Sequence, residues 1–266
     1  MLKDITIGQY YPVNSVLHRL DPRVKLIGTV IFLISLFFKN TCYSFLLAGG
    51  FLAIIVILSK IPFRYIVKGM KSIVIIMLFT VVFNLFLTPG ETVFRWTIFK
   101  ITKEGIYSAS YMLIRLIMLI IGSSLMTFTT TPNQLTDGME YVFAPLKLFH
   151  LPVHEVAMMM SIALRFIPIL MEETDKIMKA QQARGADFET GGLVKRAKAM
   201  IPILVPLFVS AFRRAGDLAM AMEARCYRGG KGRTKMKPLR YKRRDYIAWL
   251  ILMIYFSMMI ILRIIR

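Results

Sequence analysis

Two arginines in matching surroundings are the residues of this chain best suited to chemistry with a partner. Arg184 lies in "KAQQARGADFE", and Arg225 follows forty-one residues later in "MEARCYRGG". Each comes directly after an alanine and directly before a small residue. A guanidinium group can hold a carboxylate through two parallel hydrogen bonds, and small neighbours let another protein surface approach closely. The repeated pattern therefore favours docking against acidic sites on partner proteins.

A purely structural interpretation of the two arginines stays open at this point. Each arginine ends a segment rich in helix-forming residues, 171–184 and 211–225. A cation in the last helical turn complements the helix macrodipole, which stabilises the helix by about 0.3–1 kcal/mol. Gly185 would then be an ordinary helix cap, and residues 185–192 would form the turn between two helices.

A second repeat concerns charge. Glu172 and Glu173 lie twelve and eleven residues before the first arginine, and Arg213 and Arg214 lie at the same offsets before the second. Opposite charges at equal offsets would let two helices pair where they cross. Our hypothesis is therefore a helix crossing at these four residues.

Composition places these segments in a membrane protein. Of the 266 residues, 56% are hydrophobic, against roughly 45–50% in a soluble domain. A membrane-spanning helix needs about 20 mostly apolar residues. Five runs reach or approach this length: Val24–Phe38, Tyr43–Leu58, Ile73–Leu87, Tyr107–Phe128 and Tyr246–Ile265.

Positive charge indicates the orientation of these spans. The chain carries 35 Lys and Arg residues against 15 Asp and Glu residues. Lys and Arg are enriched in cytoplasmic loops. They collect before the first run, after the second run and, most densely, within residues 228–244. The distribution predicts a cytoplasmic N-terminus, five spans and an outer C-terminus.

The region between the fourth and fifth runs is also apolar. Residues 156–171 and 199–212 are apolar enough to enter lipid, yet both contain proline. We favour long amphipathic helices along the inner face of the membrane, and two further spans are the alternative. The predicted fold is an all-α polytopic membrane protein with about five transmembrane helices and a cytoplasmic-side domain of long amphipathic helices.

The predicted division of the chain follows from these runs. Its four parts are a membrane domain of four transmembrane helices (1–128), a cytoplasmic helical domain (129–228), a basic juxtamembrane linker (229–245) and a C-terminal transmembrane helix (246–266).

The two cysteines, Cys42 and Cys226, lie far apart and suggest neither a disulfide framework nor a metal site.

Three stretches of sequence carry a resemblance to a known family. "HRLDPRVKL" at 18–26, which includes Asp21, Pro22 and Arg23, resembles that family's motif before its first span. "TTTPNQLTDGMEYVFAPLKLF" at 129–149 resembles the segment leading into its cytoplasmic helices. With "ALRFIPILMEE" and the two Ala-Arg sequences, these stretches resemble the transmembrane T component of energy-coupling factor (ECF) transporters over nearly the whole chain.

The second arginine departs from the family pattern. The usual Ala-Arg-Gly is Ala224-Arg225-Cys226 in this chain. Cysteine is still small, so we expect docking to survive. Without the glycine, we expect the helix to continue as far as Gly229.

The resemblance implies a bacterial cell-membrane subunit for the uptake of vitamins or transition-metal ions. A T component is not an enzyme and binds no cofactor, because ATP and Mg²⁺ bind to two partner ATPases of the ATP-binding-cassette type. A membrane-embedded S component binds the substrate, and coupling helices transmit the ATPase movement to it. Carried onto this chain, the ATPase contacts are two arginine tips formed by Ala183, Arg184 and Gly185 and by Ala224, Arg225 and Cys226.

Further partner predictions rest on the same residues. The unlike tips favour a heterodimer of ATPases without requiring one. Methionine-rich coupling helices favour a module that serves several interchangeable S components. The basic residues 226–244 directly precede a span. Attraction to anionic lipid headgroups, at about 1 kcal/mol per Lys or Arg, therefore explains them better than nucleic-acid binding does.

Other functional classes fit the sequence less well. A self-sufficient secondary transporter would show charged or broken helices near the middle of the bilayer, and only Arg115 and Asn84 are candidates for such positions. A permease subunit of a conventional ABC importer also docks on an ATPase, but it normally passes the substrate itself. An intramembrane enzyme is disfavoured because no catalytic motif occurs in the sequence.

Overall fold

The chain folds very largely into α-helices. The computed structural model describes residues 10–38, 42–71, 73–96, 99–188, 192–230, 236 and 238–264. Within these residues the α-helices are α1 (Pro22–Ser35), α2 (Cys42–Ser59), α3 (Phe63–Met70), α4 (Val74–Leu87), α5 (Lys103–Thr129), α6 (Pro132–Val142), α7 (Val153–Ala183), α8 (Leu193–Ala224) and α9 (Arg243–Ile264). A 3₁₀ helix covers Ala144–Phe149 between α6 and α7. The predicted helical membrane-protein class is confirmed.

A short β-hairpin connects α4 to α5. β1 (Thr92–Trp96) pairs in antiparallel orientation with β2 (Phe99–Thr102). The sequence predicted no strand between the third and fourth spans, so the hairpin adds to the predicted fold. Thr102 then caps α5, because its hydroxyl oxygen accepts a hydrogen bond from the Gly105 backbone N–H at 3.0 Å.

Contacts divide the chain into two compact units. One unit, which we call the bundle, covers Gly8–Val142 and Leu239–Arg266. The other includes Phe143–Pro238 and contains α7 and α8, which we call the helix pair. By these contacts α6 belongs with the bundle, although the sequence grouped it with the cytoplasmic helices from residue 129 onward. The four-part division by function stays a prediction.

The core of the bundle lies where α1, α2, α5 and α9 meet. A Cβ on Gly122 of α5 would lie 2.7 Å from the Phe32 ring of α1, so only glycine permits this close approach. The Ser35 and Tyr255 hydroxyl oxygens share a hydrogen bond at 2.7 Å, which satisfies two polar groups inside the core. The buried core side chains are Phe32, Leu36, Ala48, Leu52, Ile61, Ile66, Leu125, Phe128, Tyr255 and Met259.

Five helices in the described part of the chain are long and apolar enough to cross a membrane. Three of them, α2, α5 and α9, coincide with predicted spans. The other two are α7 and residues Arg196–Ala224 of α8. Because length and composition suit either location, the placement of α7 and α8 along the membrane face stays a prediction.

The helices at the first and third predicted spans are shorter. α1 and α4 have 14 residues each, which corresponds to about 21 Å of helix. The hydrocarbon core of a bilayer is roughly 30 Å thick. Both helices would therefore need flanking residues to complete a crossing. Ile265, the predicted end of the last span, lies outside the described residues.

Candidate docking site

α7 and α8 position the two arginines that the sequence singled out. Each apolar run and its polar continuation form one helix, of 31 residues in α7 and 32 residues in α8. Pro168 lies inside α7, and Pro202 and Pro206 lie inside α8, without ending either helix. At 1.5 Å per residue, each helix is about 45 Å long. Each arginine therefore follows the last residue of one long continuous helix.

The first tip closes α7 after Ala183. Arg184 is the C-cap residue, with φ −87° and ψ 7°, and Gly185 adopts left-handed geometry at φ +87°. The N–H groups of Gly185 and Ala186 donate to carbonyls of the last turn at 2.9 and 3.0 Å. These two bonds form a Schellman motif, which favours glycine because glycine has no Cβ. All three tip residues are exposed.

The second tip repeats this geometry at the end of α8. Arg225 is the C-cap residue, with φ −91° and ψ 14°, and Cys226 takes the left-handed position at φ +56°. The N–H groups of Cys226 and Tyr227 donate to the equivalent carbonyls at 2.8 and 3.0 Å. The expected continuation of the helix to Gly229 is wrong, because the Schellman bonds form with cysteine in the glycine position. Ala224, Arg225 and Cys226 are also exposed.

An ion pair joins α7 to α8 ahead of the tips. Arg214 Nη2 donates to Glu173 Oε2 at 2.6 Å, and the two side chains are 35% and 22% exposed. The structure thus brings together two of the four charged residues that the sequence placed at a helix crossing. The other two, Glu172 and Arg213, are exposed.

The ion pair and the tips share one spacing. Glu173 and Arg214 lie forty-one residues apart, as do Arg184 and Arg225, so each tip arginine lies eleven residues beyond the pair. Eleven residues correspond to about 16 Å of helix. The helix pair therefore has two arms of equal length that extend from a common contact, and each arm ends in an exposed arginine.

The Asp21-Pro22-Arg23 motif lies in the bundle and organises helix ends. Asp21 caps α1 by accepting a hydrogen bond from the Arg23 backbone N–H at 2.9 Å, and Pro22 occupies the first helical turn. The Asp21 N–H donates to Asp245 Oδ1 at 2.8 Å, and the Lys242 N–H donates to Asp245 Oδ2 at 2.7 Å. One carboxylate therefore ties the start of α1 to the start of α9.

Two basic residues, Arg23 of the motif and Lys25 two positions later, extend this junction. The Arg23 guanidinium donates to the Leu239 carbonyl at 2.8 Å and lies 3.6 Å from the centre of the Tyr141 ring in α6. Lys25 Nζ donates to the Thr129 carbonyl, at the end of α5, at 2.8 Å. The motif accordingly connects the ends of α1, α5 and α6 with the segment that leads into α9.

Asp245 is a residue of this junction that the sequence did not single out. Its side chain is buried, with 2% of the residue surface exposed. A signal was present, because Asp245 is the first acid after a basic stretch, Cys226–Arg244, that contains none. An isolated acid at the start of an apolar helix is a candidate for a buried structural carboxylate.

Comparison with known proteins decides the family. Residues 13–236 match the CbiQ family model, which describes a cobalt transport protein. A relative from Ruminiclostridium cellulolyticum is 53% identical over 264 residues, which cover 96% of this chain and 99% of the relative. A relative from Clostridium kluyveri is 52% identical, and the match covers 99% of this chain and 98% of the relative. A relative from Bacillus subtilis is 47% identical, and the match covers 99% of this chain and 100% of the relative. All three are named energy-coupling factor transporter transmembrane protein EcfT.

The chain belongs to this CbiQ/EcfT family. The resemblance to the ECF transporter T component is confirmed over nearly the whole chain. As a CbiQ/EcfT protein, the chain is the transmembrane component of an ECF transporter and a multi-pass membrane protein.

The exposed apolar faces of α7 and α8 are a second candidate interface of this CbiQ/EcfT protein. Large exposed apolar surfaces mark contacts with lipid or with another protein. Methionine adds flexibility to such a surface. The exposed apolar side chains on the two helices include Val156, Met159, Met160, Ile201, Leu204, Val205, Phe208, Val209, Phe212 and Met220.

His18, three residues before the Asp21-Pro22-Arg23 motif of this CbiQ/EcfT protein, uses both ring nitrogens in hydrogen bonds. Its Nε2 donates to the Tyr11 carbonyl at 2.9 Å, and its Nδ1 shares a hydrogen bond of 2.7 Å with the Ser15 hydroxyl. Burial lowers the pKa of His18 below its ordinary value. The Tyr11 carbonyl opposes this effect, and the positive charge of Lys25 lowers the pKa further.

Proposed function

We propose that this chain couples two ATP-binding-cassette ATPases to a membrane-embedded S component. In this proposal, the S component binds vitamins or transition-metal ions for uptake into a bacterial cell. The observation that carries the proposal is the duplicated tip. Two long helices end in the same backbone motif, and each presents an exposed arginine. Two helix tips of the same geometry suit two partners with similar binding sites, such as two related ATPases.

Each arginine would supply the specific contact with one ATPase. A guanidinium at a helix end can hold a carboxylate in a groove through two parallel hydrogen bonds. The small residues on both sides of each arginine keep the tip narrow. The Schellman bonds satisfy carbonyls of the last turn internally, so the tip can enter a groove without leaving those groups unpaired.

Movement of the ATPases would pass through the helix pair. The ion pair between Glu173 and Arg214 supports this role, because both arms extend from it. A change in the distance between two docked tips would alter the angle between the arms. The apolar faces of α7 and α8 would carry that change to the S component and to the surrounding lipid.

The division of labour in the complex follows from the same proposal. This chain would be non-catalytic and would bind no cofactor, and the ATPases would hold ATP and Mg²⁺. Its N-terminus and both tips would face the cytoplasm, where the ATPases are located. The unlike residues Gly185 and Cys226 favour two different ATPases, and the methionine-rich faces favour interchangeable S components.

Charge reversal in the assembled transporter tests the arginine tips. We expect Arg184→Glu combined with Arg225→Glu to abolish co-purification with both ATPases and ATP-dependent uptake, with membrane insertion unchanged. Loss of one buried charge partner costs on the order of 2–5 kcal/mol of docking energy. The control is Lys179→Glu combined with Arg228→Glu, which makes the same charge change at exposed positions near the tips. Full-yield co-purification of the tip variant would contradict the proposal.

A further inference from the structure

An apolar groove opens on the surface of the bundle. It has a volume of about 270 Å³ and is lined by α1, α2, α5 and α9. Val24 and Ile247 line it near the starts of α1 and α9, and Leu58 and Thr129 line it near the ends of α2 and α5. The groove therefore lies at the end of the bundle that holds the Asp21–Asp245 junction.

The walls of the groove suit a hydrocarbon chain. Ile54 of α2 and Ile247 and Ile251 of α9 line it, and each of these residues is more than half exposed. In a membrane protein such exposed aliphatic side chains meet acyl chains or a partner. A cavity of about 150 Å³ lined by similar side chains holds a benzene molecule. The groove therefore has room for several methylene groups of an acyl chain.

Positive charge lies at the polar end of the groove. Arg244 lines the groove and is half-buried. Arg240, Lys242 and Arg243 are exposed residues of the same segment. The neighbouring acid, Asp245, is buried, and each of its carboxylate oxygens accepts a backbone N–H. The segment from Arg240 to Arg244 carries four cations against the single carboxylate of Asp245, so it keeps a net positive charge at the membrane surface.

We infer that this groove binds an anionic glycerophospholipid from the leaflet at this end of the bundle. One acyl chain lies along the apolar side chains of α1, α2 and α9, and the phosphate pairs with the Arg244 guanidinium. Guanidinium groups bind phosphate oxygens through parallel hydrogen bonds. Basic pockets between membrane helices bind anionic headgroups in the same way. The lining arginine favours an anionic lipid over an apolar protein helix, because such a helix would leave Arg244 without an anion. The other lining cation, Lys25, already donates to the His18 and Thr129 carbonyls.

Native mass spectrometry of the assembled transporter tests this inference. The complex is exchanged in mild detergent against phosphatidylglycerol or phosphatidylcholine with identical acyl chains. We expect phosphatidylglycerol to be retained about five- to tenfold better, as an interaction with one interfacial charge predicts. Arg244→Gln should remove this preference. Arg243→Gln makes the same charge change at an exposed neighbour that is not a groove-lining residue, so it should keep the preference.

A second variant fills the groove without changing its charge. Ala248 lines the groove, so Ala248→Phe should abolish retention of both lipids while the complex still co-purifies with its partners. Equal retention of the two lipids by the wild type would overturn the inference, and so would unchanged retention in Arg244→Gln. Cross-linking of the S component to Ile251→Cys would show a protein occupant, which would also overturn it.

Discussion

Glu173 and Arg214 connect α7 to α8 through a direct hydrogen bond of 2.6 Å between their charged groups. The two residues are separated by the same forty-one positions that separate Arg184 from Arg225. Each helix therefore carries its tip at an equal distance from the contact. A disturbance at this ion pair should change the geometry of both tips together.

Charge reversal at the ion pair tests its role in the helix pair. Glu173→Arg or Arg214→Glu places like charges together, so we expect a loss of about 1–2 kcal/mol of stability and reduced ATP-dependent uptake. The double reversal restores opposite charges and should recover most of both losses in a double-mutant cycle. The same exchange at the exposed residues Glu172 and Arg213 is the control. A double variant no better than either single variant would show that the pair does not hold the helices.

Cys226 occupies a backbone position that favours glycine. Left-handed geometry costs a residue with a side chain roughly 1–2 kcal/mol. We expect Cys226→Gly to raise the free energy of unfolding by about 0.5–1 kcal/mol, because the greater freedom of glycine in the unfolded chain offsets part of the gain. The change is measured as an increase in the thermal unfolding midpoint. A lower midpoint would contradict the expected strain at this tip.

Two glycines give matched controls for that experiment. Gly185→Ala introduces a side chain at φ +87° and should destabilise the first tip by about 1 kcal/mol. Gly216 lies inside α8, where an added Cβ has no neighbouring atom within 4 Å. Gly216→Ala should therefore stabilise the helix by about 1 kcal/mol. If the free energy of unfolding falls in Gly185→Ala and rises in Gly216→Ala, the effect of tip geometry is separated from a general effect of glycine content.

Substitution of Asp245 tests the junction between α1 and α9. Asp245→Ala removes the acceptor of two backbone N–H groups. The bond from the Asp21 N–H is buried and the bond from the Lys242 N–H is part-buried. A buried donor left unpaired costs about 1–3 kcal/mol, so we expect a loss of about 2–4 kcal/mol in the free energy of unfolding. Asp217→Ala, at an exposed position of α8, should change stability by less than about 0.5 kcal/mol. Equal unfolding midpoints for the two variants would show that the carboxylate does not hold the junction.

His18 should make stability depend on pH. Because burial lowers its pKa in the folded state, the folded protein binds fewer protons there than the unfolded chain does. The contribution to stability is therefore present above the unfolded pKa of about 6.5 and is lost as the pH falls towards the folded-state pKa. The thermal unfolding midpoint should therefore fall less between pH 7 and pH 5 in His18→Gln than in the wild type. His150→Gln, at an exposed position, should keep the wild-type difference.

The features that the sequence predicted best are those that depend on neighbouring residues or on a regular spacing. The arginine tips and the charges of the ion pair appear in the sequence because each lies within one helix and repeats after forty-one residues. The bond between Asp21 and Asp245 joins residues 224 positions apart. The isolated acid in the sequence signals a buried carboxylate, but no local pattern identifies Asp21 as its partner. Cys226 misled the prediction of the helix end, because cysteine seldom occupies a left-handed cap. Hydropathy also could not place α7 and α8, since the same apolar residues suit a span or a membrane surface.

The two cysteines allow the proposed orientation to be measured with native residues. Cys42 and Cys226 are exposed in the structure. The proposed topology places Cys42 between the first two spans on the outer side and Cys226 in the cytoplasm. We expect a membrane-impermeant maleimide to label Cys226→Ser, which keeps Cys42, on intact cells and to leave Cys42→Ser unlabelled. Permeabilised cells should label both variants, which controls for reactivity. Labelling of Cys226 on intact cells would put the second tip on the side away from the ATPases and contradict the proposed function.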